Sequence, residues 1–184
     1  MASFHWREWA TDREQLRRLN LLEKVSLFAG LSRRQLGKLL VKLFEKEYDS
    51  GETIFLEGEP GKALFIVLDG RVSIFHAGHG AEERLAALTP GAYFGELALI
   101  DDLPRSASAR AEEHSSLLIL YKSHFDELIE GHSTIAIRVM GNLLKALAGY
   151  VRAAHARSAG LADTLKGTAT APEQSEKPSE RPQR

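Results

Sequence analysis

Apolar residues recur along this chain in two rhythms, and the change between them marks out its architecture. From Trp6 to Glu23, apolar positions at Trp9, Leu16, Leu19 and Leu22 share one face of a 3.6-residue period, which predicts a helix. Ser32-Arg33-Arg34-Gln35 has the capping-box form, and Leu36, Leu39 and Leu40 follow it, so a second short helix is expected from Ser32. From about Phe44 the texture turns to short apolar runs. These are Thr53–Leu56, Ala63–Leu68, Val72–Phe75 and Arg84–Leu88, with two more at Ala107–Glu112 and Ser116–Tyr121. Between them stand turn signals such as Asp49-Ser50-Gly51, Gly58-Glu59-Pro60-Gly61, Gly78-His79-Gly80 and Thr89-Pro90-Gly91. Regularly spaced strands of this kind predict a sandwich, jelly roll or barrel. Asp69-Gly70, lying between two β-rich runs, predicts a tight hairpin.

Helical texture returns at Ser123, with Asp126 and Glu127 in a first turn that favours acids, and a longer helix is expected over Ser133–Arg157. On it, Ile137, Met140, Leu144, Leu147, Val151 and Ala154 step by three and four, forming a short heptad-like seam. That seam suits either a second copy of the chain or the chain's own sheet. Beyond Gly160, three of the six prolines accompany almost no large apolar residue, which predicts a disordered tail. The expected division is a helical segment over 1–22, a main domain over 23–157 and a tail over 158–184. The fold class is α+β: an antiparallel, jelly-roll-like β-roll with helices before and after it.

Charge and composition narrow the function. Lys+Arg number 24 against 25 Asp+Glu, for a net charge of −1, whereas a phosphate-gripping nucleic-acid binder is normally basic. The absence of Cys excludes disulfides, thiolate metal sites and Cys nucleophiles. No apolar run approaches the length that spans a bilayer, and the polar start lacks a secretion-signal core, so a cytoplasmic protein is expected.

One stretch, YFGELALIDDLPRSASAR at 93–110, carries chemistry that folding alone does not require. Gly95 allows a tight turn, and Leu97 to Ile100 are expected to form one helical turn whose free amides face an anion. Arg105 adds a planar, permanently charged fork for phosphate oxygens, while Glu96 accepts hydrogen bonds and suits hydroxyls. A ligand with one phosphate beside sugar hydroxyls would satisfy both, which describes a cyclic nucleotide.

Phe94-Gly95-Glu96-Leu97-Ala98-Leu99 with Pro104-Arg105-Ser106-Ala107 resembles the phosphate-binding cassette of cyclic nucleotide-binding domains. Such domains occur in protein kinase A regulatory subunits, catabolite-activator-type transcription factors and gated channels. The Glu-to-Arg spacing is similar to that of the kinase regulatory subunits. The resemblance runs from about Leu22 to about Arg157, and Gly51, Gly61, Gly70 and Gly91 match its β-roll glycines.

The resemblance implies that Glu96 accepts from the ribose 2′-hydroxyl and that Arg105 holds the cyclic phosphate. The amides of Leu97 and Ala98 and the Ser106 hydroxyl would assist, Ala107 would close the motif, and Gly95 would let the sugar approach. A gapless count from Arg105 puts the family's base-covering residue near Tyr150 and Val151, and a Tyr there can stack on a purine. It also implies a non-enzymatic sensor, with cAMP as ligand, acting on a downstream protein and dimerising through residues 133–157. Ser106 leaves cGMP open, since the family places a hydroxyl there with either nucleotide. Nothing resembling a helix-turn-helix domain, a pseudosubstrate segment or a channel pore accompanies the motif, so no nucleic-acid partner is expected.

Plainer readings stand beside these. Glu96 and Arg105 could form a mutual salt bridge in a ligand-free scaffold domain of the same fold. His76 and His79 form an HxxH on a Gly-rich turn, but a metal site of the jelly-roll cupin enzymes needs further ligands that no neighbouring strand offers. Trp6 and Trp9 among Arg7, Arg13, Arg17 and Arg18 could dock a partner or membrane surface, although packing on the protein's own roll is the expected use.

Overall fold

The computed structural model describes the backbone of residues 5–78 and 82–168, with side chains over 13–76, 78 and 82–156. Helix α1 spans His5–Leu22; a 3₁₀ turn, Ser26–Phe28, and α2, Arg33–Leu40, follow it. Strands are β1 Phe44–Tyr48, β2 Thr53–Phe55, β3 Ala63–Asp69, β4 Val72–Ala77, β5 Glu82–Leu88, β6 Tyr93–Phe94, β7 Ser108–Ala111 and β8 Ser115–Tyr121. A second 3₁₀ turn, Glu96–Leu99, separates β6 from β7, and α3, Lys122–Gly131, and α4, Ser133–Thr168, close the order. Two compact units divide at Leu144 and Lys145. No helix among the described residues is long and apolar enough to cross a membrane.

The eight strands form two antiparallel four-stranded sheets, ordered β1-β8-β3-β6 and β2-β7-β4-β5. In the first, β3 and β8 are the central strands, paired with Leu64 opposite Leu120 and Ile66 opposite Leu118. Both bury six consecutive residues. Alternation along a strand explains why. Ala63, Phe65, Val67, Leu117 and Ile119 point into the roll, with Val72, Ala109 and Ala111 of the other sheet. Leu64, Ile66, Leu118 and Leu120 face the opposite way and are also buried. A second layer must cover them, and the helices bury Leu36, Leu39, Phe125, Leu128, Ile135, Val139 and Leu143 in doing so.

The capping box forms as the spacing predicts: the Ser32 amide donates to the Gln35 side chain at 2.9 Å, and the Gln35 amide donates back to the Ser32 hydroxyl at 3.4 Å.

Two expectations are corrected. Asp69-Gly70 does not close a hairpin, because β3 and β4 belong to different sheets. Both edges of β3 are already taken, by β8 and β6, so the turn carries the chain across the roll instead. Gly70 has φ of +84°, and a Cβ there would meet the Ser115 hydroxyl at 2.3 Å and the His114 carbonyl at 2.5 Å. Second, α4 does not stop near Arg157 but continues to Thr168, over the first part of the expected tail. Residues 158–168 hold Ala, Leu and Lys, good helix formers, and all three tail prolines lie beyond them. The remainder of the expected tail, 169–184, lies outside the described residues, as do the side chains of Trp6 and Trp9.

Gly70→Ala should therefore do more than strain a left-handed residue. A non-glycine residue there costs about 1–2 kcal/mol before the Ser115 contact is counted, and about 1 kcal/mol lowers the melting temperature of a chain this size by roughly 2–4 °C. A fall of several degrees is expected by calorimetry. An unchanged melting temperature would show that the crossing point is not held as described.

Candidate functional site

The site begins with a turn that only glycine fits. Gly95 ends β6 with φ of +71° and caps the 3₁₀ turn Glu96–Leu99. A Cβ at Gly95 would lie 2.6 Å from Arg105 Nη1 and 3.2 Å from the Ala63 carbonyl, so the missing side chain is space that Arg105 occupies. Arg105 Nη1 donates to the Gly95 carbonyl at 3.2 Å. The backbone of Arg105 is pinned as well: its amide donates to the Glu59 carbonyl at 2.8 Å, and its carbonyl accepts from the Gly58 amide at 2.9 Å. Pro60 and Pro104 pair beside these bonds. The β2–β3 loop and the Arg105 loop thus brace each other.

Under the guanidinium lies an aromatic floor. Phe55, Phe65 and Phe94 pack with ring centroids 5.3 to 5.8 Å apart, and the Arg105 guanidinium carbon sits 4.2 Å from the Phe55 centroid and 5.5 Å from that of Phe65. A cation over a ring face in this range is attracted by the ring quadrupole. The floor fixes the plane of the fork.

The electrostatics show what is left unsatisfied. Glu96 and Arg105 are both half-buried. Burial raises the Glu96 carboxyl above its ordinary value, and a hydrogen bond from its own backbone and the charge of Arg105 only partly offset this. Burial likewise lowers Arg105, with Glu59 and Glu96 acting against it. Arg105 Nε is buried with no partner. Among the described residues no ion pair joins Glu96 to Arg105, so the mutual salt bridge of the scaffold reading does not form in this structure. Instead both line one pocket of about 170 Å³ with Gly61, Gly95, Leu97, Ala98, Asp101, Leu103, Pro104 and Ser106.

The structure accordingly brings together Gly95, Glu96, Leu97, Ala98, Arg105 and Ser106. The Ala98 amide is already turned to the Gly95 carbonyl at 3.3 Å. Ala107 is half-buried next to Ser106 and does not line the pocket. Tyr150 stands on α4 in the second unit and is 54% exposed. Sequence reasoning missed Asp101 and Leu103 on the wall, and Phe55 and Phe65 beneath the fork; Pro104, quoted in the motif but given no role, also lines the wall. The floor carries no local signal, since its members meet only through sheet packing. Gly61 read as a roll glycine, and the structure adds a reason: a Cβ there would lie 3.1 Å from Ala98 Cβ and 3.3 Å from the Leu103 carbonyl.

Elsewhere, His76 Nδ1 lies 3.0 Å from a Glu57 carboxylate oxygen, and His79 is outside the described residues. No group of three potential metal ligands occurs among the described residues.

Comparison with known proteins agrees with this geometry. Residues 45–132 match the family model of the cyclic nucleotide-binding domain. The chain is 38% identical over 122 residues to the cyclic AMP receptor protein of Thermus thermophilus, covering 66% of this chain and 56% of that protein. It is 33% identical over 159 residues to mouse cGMP-dependent protein kinase 2, covering 78% of this chain and 20% of the kinase. The structure also matches the regulatory domain of Toxoplasma gondii PKA, crystallised with cAMP, with a TM-score of 0.63 and 26% identity over 77% of this chain and 52% of that one. This chain therefore spans about half or less of the relatives named. Two antiparallel sheets and these matches agree: residues 45–132 carry a β-roll of the cyclic nucleotide-binding domain family.

Proposed function

We propose that the protein is a cAMP sensor. Arg105 holds the cyclic phosphate, Glu96 accepts from the ribose 2′-hydroxyl, and the Leu97 amide and Ser106 hydroxyl complete the contact. One observation carries this reading: a half-buried acid and a half-buried arginine share one pocket without pairing. Such groups cost stability unless something satisfies them. A phosphate on the fork and a hydroxyl on the carboxylate would do so together. The preference for cAMP draws on the names of the Thermus receptor and the Toxoplasma complex, and the cGMP-dependent kinase makes cGMP the natural competitor.

The response is read by α4 and passed to a partner protein, with Tyr150 covering the base. α4 buries Ile135, Ala136, Val139 and Leu143, while Ile137 and Leu144 of the expected seam are 70% and 61% exposed. Met140 and Leu147 of that seam are half-buried, so the seam is open to solvent at Ile137 and Leu144 and partly covered elsewhere. Val151, further along, is 54% exposed. An apolar row left to solvent suits a second copy of α4, and supports a homodimer.

Three tests follow from these charges and this helix. In calorimetric titrations, cAMP should bind more tightly than cGMP, and Arg105→Ala should weaken cAMP by at least about tenfold, because a charge-assisted hydrogen bond is worth about 1.5–3 kcal/mol. Undiminished affinity in that variant would refute the assignment.

Glu96→Gln tests the acid through stability. The folded protein holds the Glu96 proton more tightly than the unfolded chain, because the carboxyl is raised in the fold. Stability linked to this group is thus present at acidic pH and lost as pH rises through the raised value. Without nucleotide, Glu96→Gln should melt above the wild type near neutral pH, and the gap should close on acidification through the carboxyl range. With cAMP it should bind more weakly. Identical melting at all pH values would contradict a carboxyl raised by burial.

For the seam, Leu144→Asp places a charge at an exposed position, so it should leave the fold intact yet shift the sedimenting species to monomer. A wild type that already sediments as a monomer would remove the dimer from the proposal.

A further inference from the structure

Between the site and α4 lies the Ser26–Phe28 turn, and its hydrogen bonds are divided in an unusual way. Val25, Ser26 and Phe28 carbonyls accept from chain amides within the turn: those of Phe28 at 2.9 Å, Ala29 at 3.2 Å and Leu31 at 3.1 Å. Leu27 and Ala29 carbonyls do not appear in that local set. Both accept instead from one side chain, the Asn142 amide nitrogen on α4, at 2.9 Å each. A primary amide has two N–H donors, so a single Asn can serve two carbonyls at once. Asn142 supplies the two bonds that the turn's own amides do not.

The clamp sits in a packed setting. Leu27 and Phe28 of the turn are buried, as are Val139 and Leu143 on either side of Asn142. The Arg138 side chain lies across Gly30, 3.6 Å from where a Cβ would stand. On the other side of the turn, the Tyr93 hydroxyl meets the Ser26 side chain. Tyr93 belongs to β6, two residues before Gly95. The turn is therefore held to α4 through Asn142, while its Ser26 faces Tyr93 of β6 next to the pocket. From the start of α3, Lys122 Nζ donates to the Leu99 carbonyl at 3.4 Å.

We infer that Asn142 is a positioning residue for the ligand response: its two bonds to the Ser26–Phe28 turn make the placement of α4's first turns depend on β6 and the pocket beside it. This rests on the nucleotide-sensor reading for its signal, but the clamp itself does not need a ligand. Ligand shifts α4 only if the two positions of the helix bind it with different affinity. A polar clamp of fixed geometry supplies such a difference, since it is either made or broken.

The test uses amide hydrogen exchange on the full chain, with and without saturating cAMP. Asn142→Asp keeps the side chain's shape and removes both donors; Asn142→Ala removes the group without adding charge. Without ligand, both variants should lose exchange protection over residues 27–31 and 139–144, on the order of tenfold, while β3 and β8 stay protected. With cAMP, the ligand-induced change over 139–144 should largely vanish, whereas affinity at the pocket should change by less than about threefold. Tyr93→Phe, which removes the hydroxyl facing Ser26, should reduce the same ligand-induced change and leave Asn142-dependent protection in place. If either Asn142 variant keeps the full cAMP-induced change in α4, the inference is overturned. If the wild type binds no cyclic nucleotide but the ligand-free loss of protection occurs, the clamp stands and the sensor reading falls.

Discussion

A guanidinium lying on a phenylalanine floor, braced from behind and unpaired in front, is the constraint around which the rest of this β-roll is arranged. Phe55 comes from one sheet and Phe65 and Phe94 from the other, so the floor exists only where the sheets close on each other. Its rings fix the plane of Arg105, the Glu59 and Gly58 backbone fixes its position along the chain, and Gly95 leaves the room it needs. Arg is suited to this place and Lys is not, because only a planar fork can lie flat on a ring and still present donors at its edge.

Holding charges this way costs stability. Burial raises the Glu96 carboxyl and lowers Arg105, which is the sign of two charged forms that the fold itself disfavours. A protein selected for stability alone would bring the two together or replace them with apolar residues. The cassette instead separates them across a pocket, with Gly61 and the Pro104 loop shaping its wall. A buried Arg105 Nε without a partner and a carboxyl raised by burial, lining one pocket, fit the pattern expected of a binding site.

Much of this was legible in the sequence, for reasons that can be named. Gly95, Glu96 and Arg105 lie within one short segment, so a local motif could bring them together before any fold was known. The strands of the roll were legible because turn residues interrupt apolar runs at regular spacing. What escaped was long-range. Asp69-Gly70 has the composition of a hairpin, but a two-residue turn with a left-handed glycine serves a sheet-to-sheet corner equally well, and only the occupied edges of β3 decide between them. The Phe55 and Phe65 floor has no spacing signal at all, because it depends on which strands face each other. The short β1 and β6 strands were hidden too, the first by its charged outer positions and the second by its two-residue length.

α4 shows the limit of periodicity most clearly. Its first turns carry apolar residues on two faces: Ile135, Ala136, Val139 and Leu143 on one, Ile137 and Leu144 on another. Steps of three and four describe either face, so the pattern announces an amphipathic helix without saying which side meets the protein. A polar residue breaks the tie. Asn142 sits beside Leu143 on the inward side and takes two backbone carbonyls of the Ser26–Phe28 turn. An Asn with both donors bonded fixes rotation and register in a way that interchangeable aliphatic contacts cannot, since a slip of one residue would leave two carbonyls and an amide unpaired. The outward row is thereby directed to solvent by the same bonds that hold the inward one. Asn142 thus adds two directional bonds to the inward apolar face of α4, fixing a register that aliphatic packing alone leaves free to slip.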